Sequence, residues 1–369
     1  MIQNPKISVI MPVYNTEKYL QESLDCLFRQ TMRDFEIICV DDGSTDRSPE
    51  ILSESAQKDD RLVILRQNHQ YAGAARNLGI QSARGKYLIF LDSDDRFKEE
   101  MLETLYTTAE AYEAEITVFR FEKFDNETGI VLPLPLTCDT TCYKQKVFSK
   151  EDDPDRIFSF TNTGPCNKLF LRKFILDQKL TFPSFRSAED LPFVMTALAE
   201  ASRITTVDRV FMQYRVNNNT SLTGAQGRNP LTFYDALLEL KTRLQERGLY
   251  RELERAYINL AAVITFFSLH ASDSSATFQK IYHFVKSTVL NELDLSGHED
   301  GYIFVYPEME FDERIRVVRD EDIFTYMIRF REVPRDLQMA AAESISGWDL
   351  LKLLRKRAEA KFNKRKTWF

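Results

Sequence analysis

Tyr87-Leu88-Ile89-Phe90-Leu91-Asp92-Ser93-Asp94-Asp95 is the stretch that decides how this chain folds. Five apolar residues without polar alternation fit a strand buried on both faces. Three carboxylates then follow within four residues. Just upstream, Ala72–Arg84 has the small-residue composition of a close-packed helix, stopped by Gly85. The same alternation recurs outward from this point. Ile7–Val13, Phe35–Val40, Leu62–Leu65 and Ile116–Phe121 are further strand signals. Between them, Thr16 is placed to cap a helix carrying Leu20, Leu24, Leu27 and Phe28. Ser48-Pro49 opens another that runs to about Lys58, and Lys98–Glu113 is a third. Apolar strands separated by helices predict an α/β fold, with a mostly parallel sheet covered by helices on both faces.

The pattern changes twice. Asp125-Asn126-Glu127-Thr128-Gly129 is a hairpin-like break, and the chain is irregular from there to about Ser187. From Pro230 onward it is mainly helical: Leu231–Arg247, Leu253–Ala271, Thr277–Leu293 and Trp348–Lys366. Tyr302–Tyr306 and Ile315–Val318 read as short strands. A boundary near residue 226 is expected, dividing a domain 1–226 from a mainly helical domain 227–369.

The 369 residues are 43% apolar and 28% charged, an ordinary globular balance that excludes disordered and collagen-like classes. A net charge of −7 argues against a general nucleic-acid binder. Asp349–Phe369 is the exception, with eight basic side chains against two carboxylates. That tail reads either as a solvated helix or as a docking element for an anionic membrane surface or a homo-oligomer. No apolar run approaches the roughly 20 residues a membrane span requires, and no leader is expected at the N-terminus. The five cysteines lack paired zinc spacing, so free thiols in a reducing cytoplasm are expected, with the protein peripheral at most to the membrane.

The acidic run Asp92–Asp95 sits where open α/β sheets bind ligands, outside the carboxyl end of a strand. Its oxygens suit Mg²⁺ or Mn²⁺, cations that usually also hold substrate phosphates. The same residues also suit a turn that caps the following helix. Val40-Asp41-Asp42-Gly43-Ser44-Thr45-Asp46 makes a second acidic corner on the same sheet edge. Gly43 permits a tight turn there, and a buried carboxylate would accept the imide N–H of a base. Turn and cap chemistry explains that corner equally well. Tyr14, in Pro12-Val13-Tyr14-Asn15, offers a flat face for a nucleobase or serves as a rim aromatic. Arg76, in Gly73-Ala74-Ala75-Arg76-Asn77-Leu78-Gly79, is a cation for a phosphate or base, or a solvated side chain. Glu189-Asp190, before an apolar run, is either an acidic helix start or the source of a general base.

Together these stretches resemble one family. The segments ISVIMPVYNTEKYLQESLDCLFRQT, DFEIICVDDGSTDRS and GAARNLGIQSARGKYLIFLDSDD follow the pattern of inverting nucleotide-sugar glycosyltransferases of family two, of GT-A fold. Asn167-Lys168-Leu169-Phe170, Ala188-Glu189-Asp190-Leu191-Pro192-Phe193 and Tyr214-Arg215 follow it more loosely. The resemblance does not extend over the last 140 or so residues. It implies transfer of a sugar from a UDP-sugar to an acceptor hydroxyl on a surface polysaccharide, glycolipid or glycoprotein. It implies that Pro12 and Tyr14 line the nucleoside pocket and Asp41 binds the uracil imide. Arg76 meets the base or diphosphate, and Lys168 joins the donor-binding set. Asp94 is the direct ligand of Mn²⁺ or Mg²⁺, with Asp92 nearer the ribose and the metal's waters. Asp190 is the catalytic base with Glu189 beside it. Many relatives carry a His after a Tyr-Arg pair; this chain reads Tyr214-Arg215-Val216-Asn217, leaving Arg215 or Asn217 in that place.

Two rival readings remain at this point. A nucleotidyltransferase would want a basic, Gly-rich phosphate loop near the N-terminus, which Pro12-Val13-Tyr14-Asn15 is not. A nucleotide-sugar-binding scaffold without catalysis would not need Asp92, Asp94 and Asp190 together.

Overall fold

The computed structural model describes residues 4–133, 138–139, 141–216, 230–272, 274–306 and 309–330. The basic tail, Asn217 and the expected boundary at 226 lie outside them. The chain divides into two compact units. One comprises Met1–Gly224 with Ala236–Tyr257, and the other Ala225–Asp235 with Ile258–Phe369. Residues 236–257, expected in the helical domain, thus belong to the first unit.

The first unit is built on one sheet, whose strands among the described residues are β1 (Ile7–Val13), β2 (Phe35–Asp41), β3 (Leu62–Arg66), β4 (Tyr87–Phe90), β5 (Arg96–Phe97), β6 (Ile116–Asp125), β7 (Val131–Pro133), β8 (Lys168–Leu171) and β9 (Ile204–Val216). The order is β3-β2-β1-β4-β8-β6-β9-β5, with β7 paired to β6. From β3 to β4 the strands are parallel, as expected. Beyond β4 the sheet is mixed: β8 runs antiparallel to β4 and β6, and β5 antiparallel to β9. Only β6 and β9 pair in parallel there, with irregular register around Arg120.

Register sets the functional edge. Val13 pairs with Asp41, and the Leu91 amide donates to the Ile10 carbonyl. The segments after β1, β2 and β4 therefore leave the sheet on one side. Lys168 opens the antiparallel β8, whose Leu169 faces Ile89, so it returns to that same edge.

Helices α1 (Leu20–Phe28), α2 (Ser48–Ala56), α3 (Tyr71–Ser82) and α4 (Met101–Ala111) connect the early strands. Leu20, Leu24 and Leu27 are fully buried, so the stripe seen in the sequence is the packing face of α1. A Cβ on Gly79 would come within 2.4 Å of Ile10, so glycine lets α3 lie directly on β1. The expected caps act otherwise. Ser48 is the first residue of α2, and its hydroxyl accepts the Thr16 amide. Thr16 accepts the Leu20 amide through its carbonyl, not its side chain. Next come α5 (Arg172–Asp177) and α6 (Asp190–Glu200). α6 is buried from Leu191 to Ala199, as befits a helix apolar on all sides.

In the second unit, α8 (Tyr250–His270), which follows α7 (Thr232–Glu246), continues into its interior from Ile258. α9 (Ser275–Phe284) runs through a π-helical stretch, Val285–Val289, into the short α10 (Leu290–Glu292), and α11 (Phe311–Asp320) and α12 (Ile323–Phe330) follow. Two expected strands are absent. Ile315–Val318 is the middle of α11, because Phe311, Ile315 and Val318 recur at helical spacing and are all buried. Tyr302–Tyr306 forms no strand. The Asn259 side chain instead takes the Tyr302 carbonyl and the Phe304 and Val305 amides. Among the described residues no helix is long and apolar enough to cross a membrane.

Candidate active site

The loops after β1 and β2 are stitched together by side chains. Asn15 Oδ1 accepts the Thr45 amide, Ser44 Oγ accepts the Asn15 amide, and Asp46 Oδ2 accepts the Glu17 amide. Gly43 turns the second loop at φ +78°. Beside it lies an open hollow lined by Asp41, Gly43, Ser44, Arg66, Gln67 and Asn68. The buried Asp41 accepts the Ser44 amide at 3.0 Å and pairs with Arg66 at 3.3 Å. Each carboxylate oxygen has two lone pairs, so capacity for a further donor remains. Pro12 sits at the end of β1, and Tyr14 follows with 44% of its surface exposed.

Asp42, which sequence reasoning left without a role, organises the next loop. Its buried carboxylate accepts the Gln70 and Tyr71 amides, each at 2.8 Å, and Gln67 Nε2 at 2.7 Å. His69 Nδ1 lies 2.8 Å from it as well. Tyr71 takes φ +70°, a left-handed conformation that costs an aromatic residue about 1–3 kcal/mol unless the surroundings enforce it. Asp42 supplies that enforcement at the start of α3.

Five residues along α3 is Arg76. Arg76 is 3% exposed, and its guanidinium reaches three carboxylates: Asp190 at 2.7 Å, Glu189 at 2.8 Å and Asp92 at 2.9 Å. Burial alone would lower its pKa, but Asp190, Asp92 and Glu189 outweigh that and push it up. The expected free cation for a diphosphate is therefore already committed to neutralising acids. The loop that carries Glu189 and Asp190 is tied back to α3. Asn77 exchanges hydrogen bonds with both the amide and the carbonyl of Phe182, and a Cβ on Gly73 would stand 2.8 Å from the Pro183 carbonyl. Small residues in this helix thus serve two approaches, to the sheet and to this loop.

The acidic run after β4 is split by burial. Asp92 and Asp94 are partly exposed, whereas Asp95 is buried. Asp92 Oδ1 holds Arg76, and Oδ2 accepts from the Cys166 thiol at 3.3 Å. Burial keeps that thiol far above its usual pKa, so it stays a donor. Burial, with Asp94 and Asp92 beside it, also pushes Asp95 well up. Asp95 Oδ1 accepts the Arg215 amide. Ser23, a small polar residue on the buried stripe of α1, donates to the Asp95 carbonyl at 2.6 Å. Its polarity at an apolar-stripe position was the available sequence signal.

Arg215 is no stand-in for a histidine ligand. Its side chain is consumed by the Asp94 carbonyl, Asn126 and Glu22, which braces the acidic turn from β9. Lys168 is likewise turned inward. Its ammonium meets Asn162, Gly164 and Asn167 oxygens at 2.6–3.2 Å. Burial presses its pKa down to about 7. The side chain fixes the loop before β8 and offers nothing to a nucleotide in this arrangement.

Asp190 begins α6 with 31% of its side chain exposed. Surrounding atoms nevertheless desolvate its carboxyl, and with Glu189 and Asp92 nearby they push its pKa up to about 8 against the pull of Arg76. Among the described residues no three acidic, His or Cys side chains form a closed metal cage. One or two carboxylates completed by phosphate oxygens are how Mg²⁺ is ordinarily held, and Asp94 with Asp92 fits that donor set.

Carboxylates gathered at the ends of parallel strands, with the mixed half of the sheet returning an acidic pair to them, are the arrangement of a GT-A fold. The model of glycosyl transferase family 2 matches residues 8–177 of the chain. The chain is 33% identical over 219 residues to the uncharacterized glycosyltransferase EpsJ of Bacillus subtilis, covering 58% of this chain. It is also 33% identical over 249 residues to the poly(ribitol-phosphate) beta-glucosyltransferase of Bacillus spizizenii, covering 66% of this chain. The alignments span 62% and 37% of those relatives' own lengths. The crystal structure of S. aureus TarS 1–349 in complex with UDP-GlcNAc has the same fold, with TM-score 0.65 at 20% identity over 88% of this chain and 90% of that one.

Proposed function

We propose that the protein transfers a sugar from a UDP-sugar to an acceptor hydroxyl, with inversion at the anomeric carbon. The observation that carries this reading is the junction at Arg76, whose guanidinium lies 2.7–2.9 Å from Asp92, just after β4, and from Glu189 and Asp190. A base for the acceptor and a strand-end acid are thereby held by one cation. Asp41 is suited to accept the imide N–H of uracil, and Tyr14 to lie against the base. A divalent cation held by Asp94 and Asp92 together with the diphosphate would supply counter-charge to the leaving group.

Asp190 takes the acceptor's proton as the hydroxyl oxygen attacks the anomeric carbon from the face opposite the diphosphate. The bond from that carbon to the phosphate oxygen breaks, and UDP departs with the electron pair. The carbon passes through an oxocarbenium-like state, as in glycoside hydrolysis. Arg76 sets its positive charge against Glu189 and Asp92 beside the base. No enzyme-bound sugar intermediate is needed.

The named poly(ribitol-phosphate) glucosyltransferase and the UDP-GlcNAc complex of TarS support a UDP-sugar donor and a bacterial surface-glycan acceptor. The test is UDP release from a panel of UDP-sugars with Mn²⁺ or Mg²⁺, with and without polyol-phosphate, glycolipid and glycoprotein acceptors. Acceptor-stimulated UDP release that stops in EDTA is expected. Tight UDP binding with no release from any donor would make the protein a catalytically silent scaffold.

A further inference from the structure

We propose that His69 is a positioning residue of the nucleoside pocket: held by Asp42, it backs the Tyr14 ring and presents that ring's other face to a nucleobase. The inference rests on the reading of Tyr14 as the surface against which the base lies.

The His69 ring stacks on Tyr14 with centroids 4.0 Å apart and planes 22° from parallel. Aromatic atoms touch at about 3.5–4 Å, so the two rings are already in contact and no base fits between them. Tyr14 is nonetheless 44% exposed, which leaves its opposite face to solvent. A nucleobase arriving there extends an existing stack instead of building one on a mobile side chain.

His69 is fixed from two further directions. Its Nδ1 lies 2.8 Å from Asp42 Oδ2, and Asp42 is immobilised by the Gln70 and Tyr71 amides and by Gln67. Tyr71 meets the imidazole edge-on, with centroids 4.7 Å apart. Tyr71 makes this contact from a left-handed backbone, φ +70°. Asp41 and Asp42 thus divide the work of the corner after β2. Asp41 faces the hollow, while Asp42 faces the loop and sets the histidine.

Such a residue acts on binding and not on the bond-breaking step, so its loss raises KM and leaves kcat in place. UDP affinity by calorimetry, together with KM and kcat for UDP-sugar hydrolysis, tests this in His69→Ala, His69→Phe and Tyr14→Ala. His69→Ala is expected to weaken UDP about five- to tenfold, less than Tyr14→Ala, within the range of a base–aromatic stack. His69→Phe retains the ring and is expected to restore affinity to within about threefold. The histidine side chain is 37% exposed, so both His69 variants are expected to fold, and their unliganded melting curves check it. UDP binding in His69→Ala as tight as in the parent, or tighter, overturns the proposal while leaving Tyr14 in place. So does a His69→Phe variant no better than His69→Ala, or a loss confined to kcat. If Tyr14→Ala itself binds UDP normally, the base-stacking surface lies elsewhere and the proposal falls with it.

Discussion

The two halves of the sheet contribute to the site in different ways. In the parallel half, β2 and β3 end in residues that line the hollow and β4 ends in the acidic cluster, a few positions from the strand itself. From β8 to β9 the contributing groups act at long range. Glu189 and Asp190 meet Arg76 across 113 and 114 positions, and the Arg215 guanidinium reaches the Asp94 carbonyl across 121. The parallel half presents groups, and the mixed half restrains and neutralises them. Arg76 is where the two meet, which makes it the most informative residue to remove.

Arg76→Met should have the largest effect on the folded state. It leaves Asp92, Glu189 and Asp190 facing one another without their shared counter-ion. Breaking a buried pair by deleting one partner costs about 3–5 kcal/mol. Urea unfolding of the variant should show a loss of that size, and adding Asp190→Asn should recover part of it. A loss below about 1 kcal/mol, the value of a surface pair, would mean that the halves are not coupled through this cation.

Asp190→Asn alone separates chemistry from restraint. It keeps a hydrogen-bonding side chain beside Arg76 but takes no proton at neutral pH. Transfer should fall roughly 10²–10⁴-fold, the usual worth of a general base, with UDP affinity little changed. Turnover near that of the parent would move the base to Glu189, and an active Glu189→Gln as well would end the single-base mechanism.

The pH profile gives a smaller effect, about tenfold per unit. Burial raises the Asp190 carboxyl toward about 8, so below that pH most of the base is protonated and idle. kcat/KM should climb as pH rises from 6 toward 8 and then level. Stability should move the other way. A carboxyl raised on folding binds its proton more tightly in the native state than in the unfolded chain, so its contribution falls as pH rises between about 4 and 8. A rate flat from pH 6 to 8 would remove the raised carboxyl from the rate-limiting step.

The difference between the halves also explains what could be read from the chain. The parallel strands, their order of appearance and the edge they share follow from local apolar runs and turn residues. Asp41, Asp92, Asp94 and Asp190 stand out because strand ends and a helix start deliver them together, in an order that resembles one family. The partners of those acids were not legible. Arg76 was noticed as a cation near phosphate, yet its three carboxylates come from two distant segments. Lys168 and Arg215 looked like ligand contacts because sequence gives their charge and not their direction. Both point inward, against carbonyls and amides no periodicity predicts. In the helical unit, Ile315–Val318 was short enough to pass for a strand until Phe311 was counted with it.

The smallest expected effect probes the acidic turn from the parallel side. Ser23 Oγ donates to the Asp95 carbonyl at 2.6 Å and the Ser93 carbonyl at 3.1 Å, while Arg215 holds the same turn from β9. Ser23→Ala removes one hydroxyl of a fully buried side chain and leaves two carbonyls short of a donor. A net loss of about 1 kcal/mol is expected, since a typical intramolecular hydrogen bond contributes that much. The backbone of the turn would still be anchored through Arg215. Half-saturation by Mn²⁺ in a UDP-sugar hydrolysis assay should therefore shift by no more than about threefold, the equivalent of well under 1 kcal/mol. If Ser23→Ala instead weakens Mn²⁺ dependence tenfold or more at unchanged stability, the turn takes its shape from α1. The restraint attributed to the mixed half would then belong to the parallel half as well.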